Sequence, residues 1–174
     1  MPTRFTDRFY EVVPNKLYAS ATPSDLRASN RAINLKFIQE NNIQVIVNLM
    51  EDDELDHDFN LFFDYAPEFS KVGIETVRFP IQDINIPKSK AYAIEIVDFI
   101  DRKNNEGKRV LVHCWGGVGR TGTIVGCYLL RHQLANADNF MSVIAHLRKN
   151  TSIAERTSPE TFTQENFVKN FLDS

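Results

Sequence analysis

Residues 109–131 read RVLVHCWGGVGRTGTIVGCYLLR. Arg109–Cys114 is a continuous apolar run of the kind that buried parallel strands show. Residues 123–131 are apolar nearly all round, as a central, buried helix is. Between them, Gly116, Gly117, Gly119 and Gly122 are four of only seven glycines in the chain. A strand, a glycine turn and a helix predict an α/β fold, with the turn at the carboxyl end of a strand, where such sheets bind ligands. The turn can aim several backbone N–H groups at one point, and the helix N-terminus behind it adds positive potential. Such a cradle favours an oxyanion, phosphate above all. The nucleotide-binding phosphate loop fails at both anchors, because Cys114 stands at its first glycine and Arg120 at its lysine.

The flanking pattern extends the α/β reading. Lys16–Ser20, Ile43–Met50 and Glu75–Ile81 are strand candidates, the last ending near Pro80. Ser29–Asn41 has helical spacing through Ile33, Phe37 and Ile38. Pro87 is expected to open a helix carrying Ala93, Ile96, Val97 and Ile100. Asp138 is a candidate cap for a helix with Phe140, Val143, Ile144 and Leu147, and Ser158–Pro159 a candidate start for the last helix. Strands alternating with helices predict a central, mostly parallel sheet covered by helices.

At 174 residues and 43% hydrophobic, the chain suits one domain spanning residues 1–174. A net charge of −3 gives no broad footprint for nucleic acid or acidic lipid, but leaves room for a local basic pocket. Cys114 and Cys127 make no disulfide framework, and with no apolar run of signal or membrane-spanning length the expectation is a cytoplasmic monomer. The acidic run EDDELDHD (51–58) reads as a solvated loop. A metal site from Asp52, Asp56 and His57 lacks a second histidine or cysteine nearby. His132 and His146 read as surface helix residues.

A thiol at the mouth of an oxyanion cradle is placed to attack a bound phosphate as thiolate. Arg120 can grip two phosphate oxygens with a planar fork that lysine lacks. Thr121 adds a hydroxyl at the start of the helix. The alternative, an inert buried cysteine on a glycine turn, does not account for His113, four glycines and Arg120 in one stretch.

HCWGGVGRT resembles the HCxxGxGRT signature of the cysteine-dependent protein phosphatases, and most resembles their compact, single-domain dual-specificity branch. NKLYASATPS (15–24) and NNIQVIVNLMEDDE (41–54) resemble the opening segment and first core strand of that family. SPETFTQENF (158–167) resembles the closing helix of bacterial and cyclin-kinase-associated members. The resemblance implies a Cys114 nucleophile and an oxyanion cradle of Trp115, Gly116, Gly117, Val118, Gly119 and Arg120. It implies that Thr121 assists the departing thiolate and that His113 orders the loop. It requires no metal or organic cofactor. It also implies a proton donor on a loop about thirty residues before the cysteine. RFPIQDINIP (78–87) puts Asp83 there, 31 residues upstream. Asp98 is read as pairing with Arg102, and Asp101 is the next rival. Gln164 is either the residue that places the attacking water or a partly buried amide bonded to backbone. Cys127 is read as a core residue, with a resolving role for an oxidised Cys114 as the minority alternative.

The expected substrate is a phosphotyrosine-containing protein or peptide, with phosphoserine and phosphothreonine also admitted. A phosphoinositide or inositol phosphate is the first alternative, disfavoured because residues 115–119 carry no lysine. A non-catalytic phosphopeptide-binding module is the second, disfavoured because Cys114, Arg120 and Asp83 are all present. A sulfurtransferase is a more distant third.

Overall fold

The computed structural model describes residues 1–173. A five-stranded sheet runs in the order β1-β2-β5-β3-β4. Its strands are β1 (Tyr10–Val13), β2 (Leu17–Ser20), β3 (Ile43–Asn48), β4 (Glu75–Arg78) and β5 (Arg109–His113). β1 is antiparallel to β2, and every other pairing is parallel. The fold is therefore α/β with a mostly parallel sheet, as the alternation of apolar runs predicts.

Side chains alternate across the pleat and build two cores. Leu17, Ala19, Val45, Val47, Val110 and Val112 face one way. They pack against α4 (Lys90–Asn105), α5 (Gly119–Arg131), α6 (Phe140–Leu147) and α7 (Phe162–Lys169). Tyr18, Ile46 and Leu111 face the other way, against Phe5, Ile38 and Phe69. Those three come from α1 (Arg4–Asp7), α2 (Ala28–Glu40) and α3 (Ala66–Ser70). β5 sits at the centre of the sheet, and twelve of the thirteen residues of α5 are buried.

Several expected boundaries move for local reasons. Ser89, not Pro87, opens α4, its hydroxyl accepting from the Tyr92 amide at 3.0 Å. Asp138 does not cap α6; Asn136 instead accepts from the amides of Asp138 and Asn139. Thr161 caps α7 in a reciprocal capping box with Gln164, so the helix begins at Phe162, three residues beyond the expected Pro159 start. Ser158 is displaced from that task because its hydroxyl donates to the Val118 carbonyl at 2.7 Å. α1, β1 and α3 were not expected; each has only four or five residues, too few to display a period.

Candidate active site

The loop from Cys114 to Arg120 leaves the carboxyl end of β5 and enters α5. Its carbonyls are held from outside. Thr22 N–H donates to the Trp115 carbonyl (3.1 Å), Arg8 Nη1 to Gly116 (2.9 Å) and Ser158 Oγ to Val118. The amides are left over: among the described residues, none of the N–H groups of residues 115–120 donates to a protein acceptor. Buried donors of this kind call for a partner, and six in succession form an anion cradle. Gly117 makes the turn possible. Its φ is +76°, and a Cβ there would lie 2.6 Å from the Ala21 nitrogen.

Cys114 is 3% exposed at the start of this loop. Arg120, at 1%, is fixed from several sides. Its two terminal nitrogens form a fork on the Glu54 carboxylate. Nη1 also donates to the Ile81 carbonyl at 2.9 Å, and Nη2 lies 2.9 Å from Asp83 Oδ1. Burial acts to lower the Arg120 pKa, but the Glu54 hydrogen bonds and the charges of Cys114, Glu54 and Asp83 outweigh it, so the pKa is raised. Arg120 Nε and the Thr121 hydroxyl are buried with no hydrogen-bond partner among the described residues.

His113 is wholly buried behind the loop. The Cys114 carbonyl can only accept, so His113 Nδ1 donates to it at 3.0 Å. Nε2 then accepts from the Tyr65 hydroxyl at 2.5 Å. Burial lowers the His113 pKa to about 3, the Cys114 hydrogen bond opposing and nearby Arg78 and Arg120 reinforcing it. The ring is neutral and has no nitrogen free for substrate. Gln164 is bonded to backbone: Oε1 accepts from the Glu160 and Thr161 amides (both 3.1 Å), and Nε2 donates one of its two hydrogens to the Asn85 carbonyl (3.0 Å). It ties the Asp83 loop to α7.

Cys114, Asp83, Arg120, Trp115, Gly116, Val118 and Gly119 line one cavity of about 210 Å³. Gly117, Thr121, His113 and Gln164 stand behind its wall. The rival acids lie elsewhere: Asp98 pairs with Arg131 at 2.7 Å, not with Arg102, and Asp101 bonds His132 at 2.7 Å. Cys127 is buried in the core, and burial pushes its thiol pKa well up. Among the described residues, no cluster of three or more His, Cys, Asp or Glu could hold a metal.

Two groups escape the sequence. Glu54 belongs to the acidic run expected to be a solvated loop, yet its side chain is 10% exposed and neutralises Arg120. A buried guanidinium needs a carboxylate, so a partner was foreseeable, but not which of several neighbouring acids. Arg4 and Arg156 also line the cavity, brought there from opposite ends of the chain.

Comparison with known proteins identifies relatives by sequence and by fold. Dual specificity protein phosphatase 2 of Mus musculus is 33% identical over 69 residues, 40% of this chain and 22% of that protein. Dual specificity protein phosphatase CDC14B of Mus musculus is 42% identical over 68 residues, 38% of this chain and 13% of that protein. The matches thus span under a quarter of these relatives. Among solved structures, kinase associated phosphatase with its catalytic cysteine replaced by serine superposes with a TM-score of 0.78 at 20% identity, covering 99% of this chain and 97% of that one. Tk-PTP in its active form gives 0.73 at 24% identity, covering 94% and 95%. At these identities the likeness is one of fold. Residues 23–134 match the family described as "Polymorphic toxin system, DSP-PTPase phosphatase". That span takes in Glu54, Asp83 and the whole strand–loop–helix unit around Cys114, and the chain therefore belongs to the DSP-PTPase phosphatases, a cysteine-dependent family.

Proposed function

We propose that the protein hydrolyses phosphomonoesters through a cysteinyl-phosphate intermediate, with phosphotyrosine in proteins as its principal substrate and phosphoserine and phosphothreonine also admitted. One observation carries the reading: Cys114, the Arg120 fork and Asp83 share one small cavity floored by six unpartnered amides. The Cys114 thiolate attacks phosphorus in line and the ester oxygen leaves. Arg120 and the amides hold the equatorial oxygens, where transition-state charge is spread. A bound phosphate competes with Asp83 for Arg120 Nη2 and frees that carboxyl to protonate the leaving oxygen. Water then attacks the cysteinyl phosphate, Asp83 takes its proton, and the Thr121 hydroxyl, otherwise unpartnered, donates to the departing thiolate. His113 and Glu54 hold the loop and Arg120 in place.

Cys114→Ser tests the covalent step. The variant should lose all measurable turnover of an aryl phosphate while still binding vanadate or a phosphopeptide. Appreciable turnover by that variant would rule out a cysteinyl intermediate.

A further inference from the structure

Two exposed leucines from distant parts of the chain line one cleft beside the catalytic cavity. Leu26 lies between β2 and α2 and is 58% exposed; Leu61 lies between β3 and α3 and is 59% exposed. The cleft measures about 490 Å³ and shares Arg4, His57 and Trp115 with the catalytic cavity, so the two adjoin. Trp115, the residue after Cys114, stands between them. Its carbonyl accepts from the Thr22 amide at 3.1 Å, and its ring packs against His57 at 4.6 Å and Phe62 at 5.3 Å between centroids. Phe5 and Asn34, each 1% exposed, close the floor of the cleft.

Charge does not set the character of this cleft. Asp25 accepts from the Arg27 amide at 2.8 Å and from Asn30 Nδ2 at 2.9 Å. Asp56 accepts from the amides of Asp58 and Asn60, both at 2.9 Å. Arg4 lies over the Trp115 ring at 5.8 Å, and the side chains of Arg27 and Asp58 carry opposite signs. What the cleft offers a ligand is therefore apolar: Leu26, Leu61 and Phe62. Covering large apolar side chains that stand in water is favourable, and a concave apolar patch with a few polar groups at its edge is the usual form of a binding site.

We propose that this cleft takes a large apolar side chain of the peptide substrate, two residues from the phosphotyrosine, against Leu26, Leu61 and Phe62. In an extended peptide, side chains two residues apart point the same way and stand about 7 Å apart. With the phosphotyrosine in the catalytic cavity, the second of such a pair lies beyond Trp115, where the cleft opens. A ligand that ends at its phosphate-bearing ring does not reach it. The proposal rests on the phosphatase reading above and adds the sequence context that the enzyme selects.

The test is kcat/KM on phosphotyrosine peptides with alanine at every flanking position, into which leucine, lysine or glutamate is placed one to three residues to either side. A simple aryl phosphate is measured beside them. Leucine two residues away, on one side, should raise kcat/KM about tenfold over alanine, the worth of half-burying one such side chain. The gain should lie in KM, because the cleft touches no reacting atom. Leu26→Ser with Leu61→Ser should bring the leucine-to-alanine ratio close to one and leave aryl phosphate turnover unchanged. Both side chains are exposed, and matching thermal unfolding of variant and parent would show that the fold is retained. Equal rates for leucine and alanine at every position, or a preference that persists in the double variant, overturn the subsite. So does a stronger preference for lysine or glutamate at the same position, which would give the cleft to a charged residue. An equal loss on the aryl phosphate would also overturn it, since the leucines would then act through the catalytic loop. If the unmodified protein turns over neither aryl phosphate nor peptide, the phosphatase reading itself falls and takes the subsite with it.

Discussion

Arg120 is the side chain on which the site turns. Its fork is gripped by Glu54, and Asp83 and the Ile81 carbonyl fix what remains. The guanidinium is thus oriented before substrate arrives, so little reorganisation is left for the transition state. Arg120→Lys keeps a charge for Glu54 but loses the planar fork. It should leave a folded protein whose kcat falls on the order of 10²–10³-fold, as for loss of one oxyanion donor. Steady-state rates beside far-UV circular dichroism check this, and near-normal turnover would mean that charge alone suffices. Gly117 is constrained differently, by space and by φ. A Cβ would meet backbone atoms of Ser20 and Ala21 at 2.6 Å, and backbone cannot swing aside as a side-chain tip can. Gly117→Ala should destabilise by more than about 1 kcal/mol, because the strained φ adds to the clash. Urea unfolding together with turnover would show whether the loop keeps its shape; unchanged values for both would refute the constraint.

At the scale of elements, the catalytic parts hang on β5 and on the loop after β4, and β3 lies between these strands. The β4 loop carries Asp83 and is anchored at Asn85 by Gln164 of α7. If Asp83 supplies the proton, its worth depends on how badly the leaving oxygen needs one. Asp83→Asn should cost on the order of 10²–10⁴-fold for a phosphotyrosine peptide. The loss should shrink steadily across aryl phosphates of increasingly acidic phenols. An equal loss across that series would assign the proton to another group. Much of this layout was legible before any coordinates. β3 and β5 are buried on both faces, so they read as unbroken apolar runs, and the glycine loop declared its chemistry by spacing. Glu54 was not legible, because nothing local marks one acid among several as the buried one. Nor were the ends of α4 and α7. Their caps were decided by competition for hydroxyls, and Ser158 went to Val118 because the catalytic loop needed that carbonyl held. Arg4, Arg8 and Arg156 meet only through tertiary folding, which no window along the chain can show.

At the scale of the whole molecule, the buried loop makes the fold sensitive to acid. His113 joins β5 to α3 through Tyr65 and holds the loop through the Cys114 carbonyl, all in its neutral form. Burial, aided by Arg78 and Arg120, lowers its pKa from 6.5 to about 3 against the pull of the Cys114 hydrogen bond. In the unfolded chain the imidazole gains a proton as the pH falls through 6.5, whereas in the folded chain it resists until about 3. Between those values the unfolded state binds more protons, so stability declines as the pH falls and is highest above the upper one. By about pH 4.5 this one group should remove roughly 2–3 kcal/mol. Carboxylates add slopes of their own, so the measurement is a difference. Urea unfolding of the parent and of His113→Asn at neutral pH and at about pH 4.5 isolates it, since the variant keeps every other titrating group. The variant should be the less stable at neutral pH, having lost the bond to Tyr65, yet it should lose roughly 2–3 kcal/mol less on acidification. The two stability curves should therefore converge as the pH falls. Parallel curves would mean that His113 takes up its proton within the folded state, and that the hydrogen bonds behind the catalytic loop do not depend on a neutral ring.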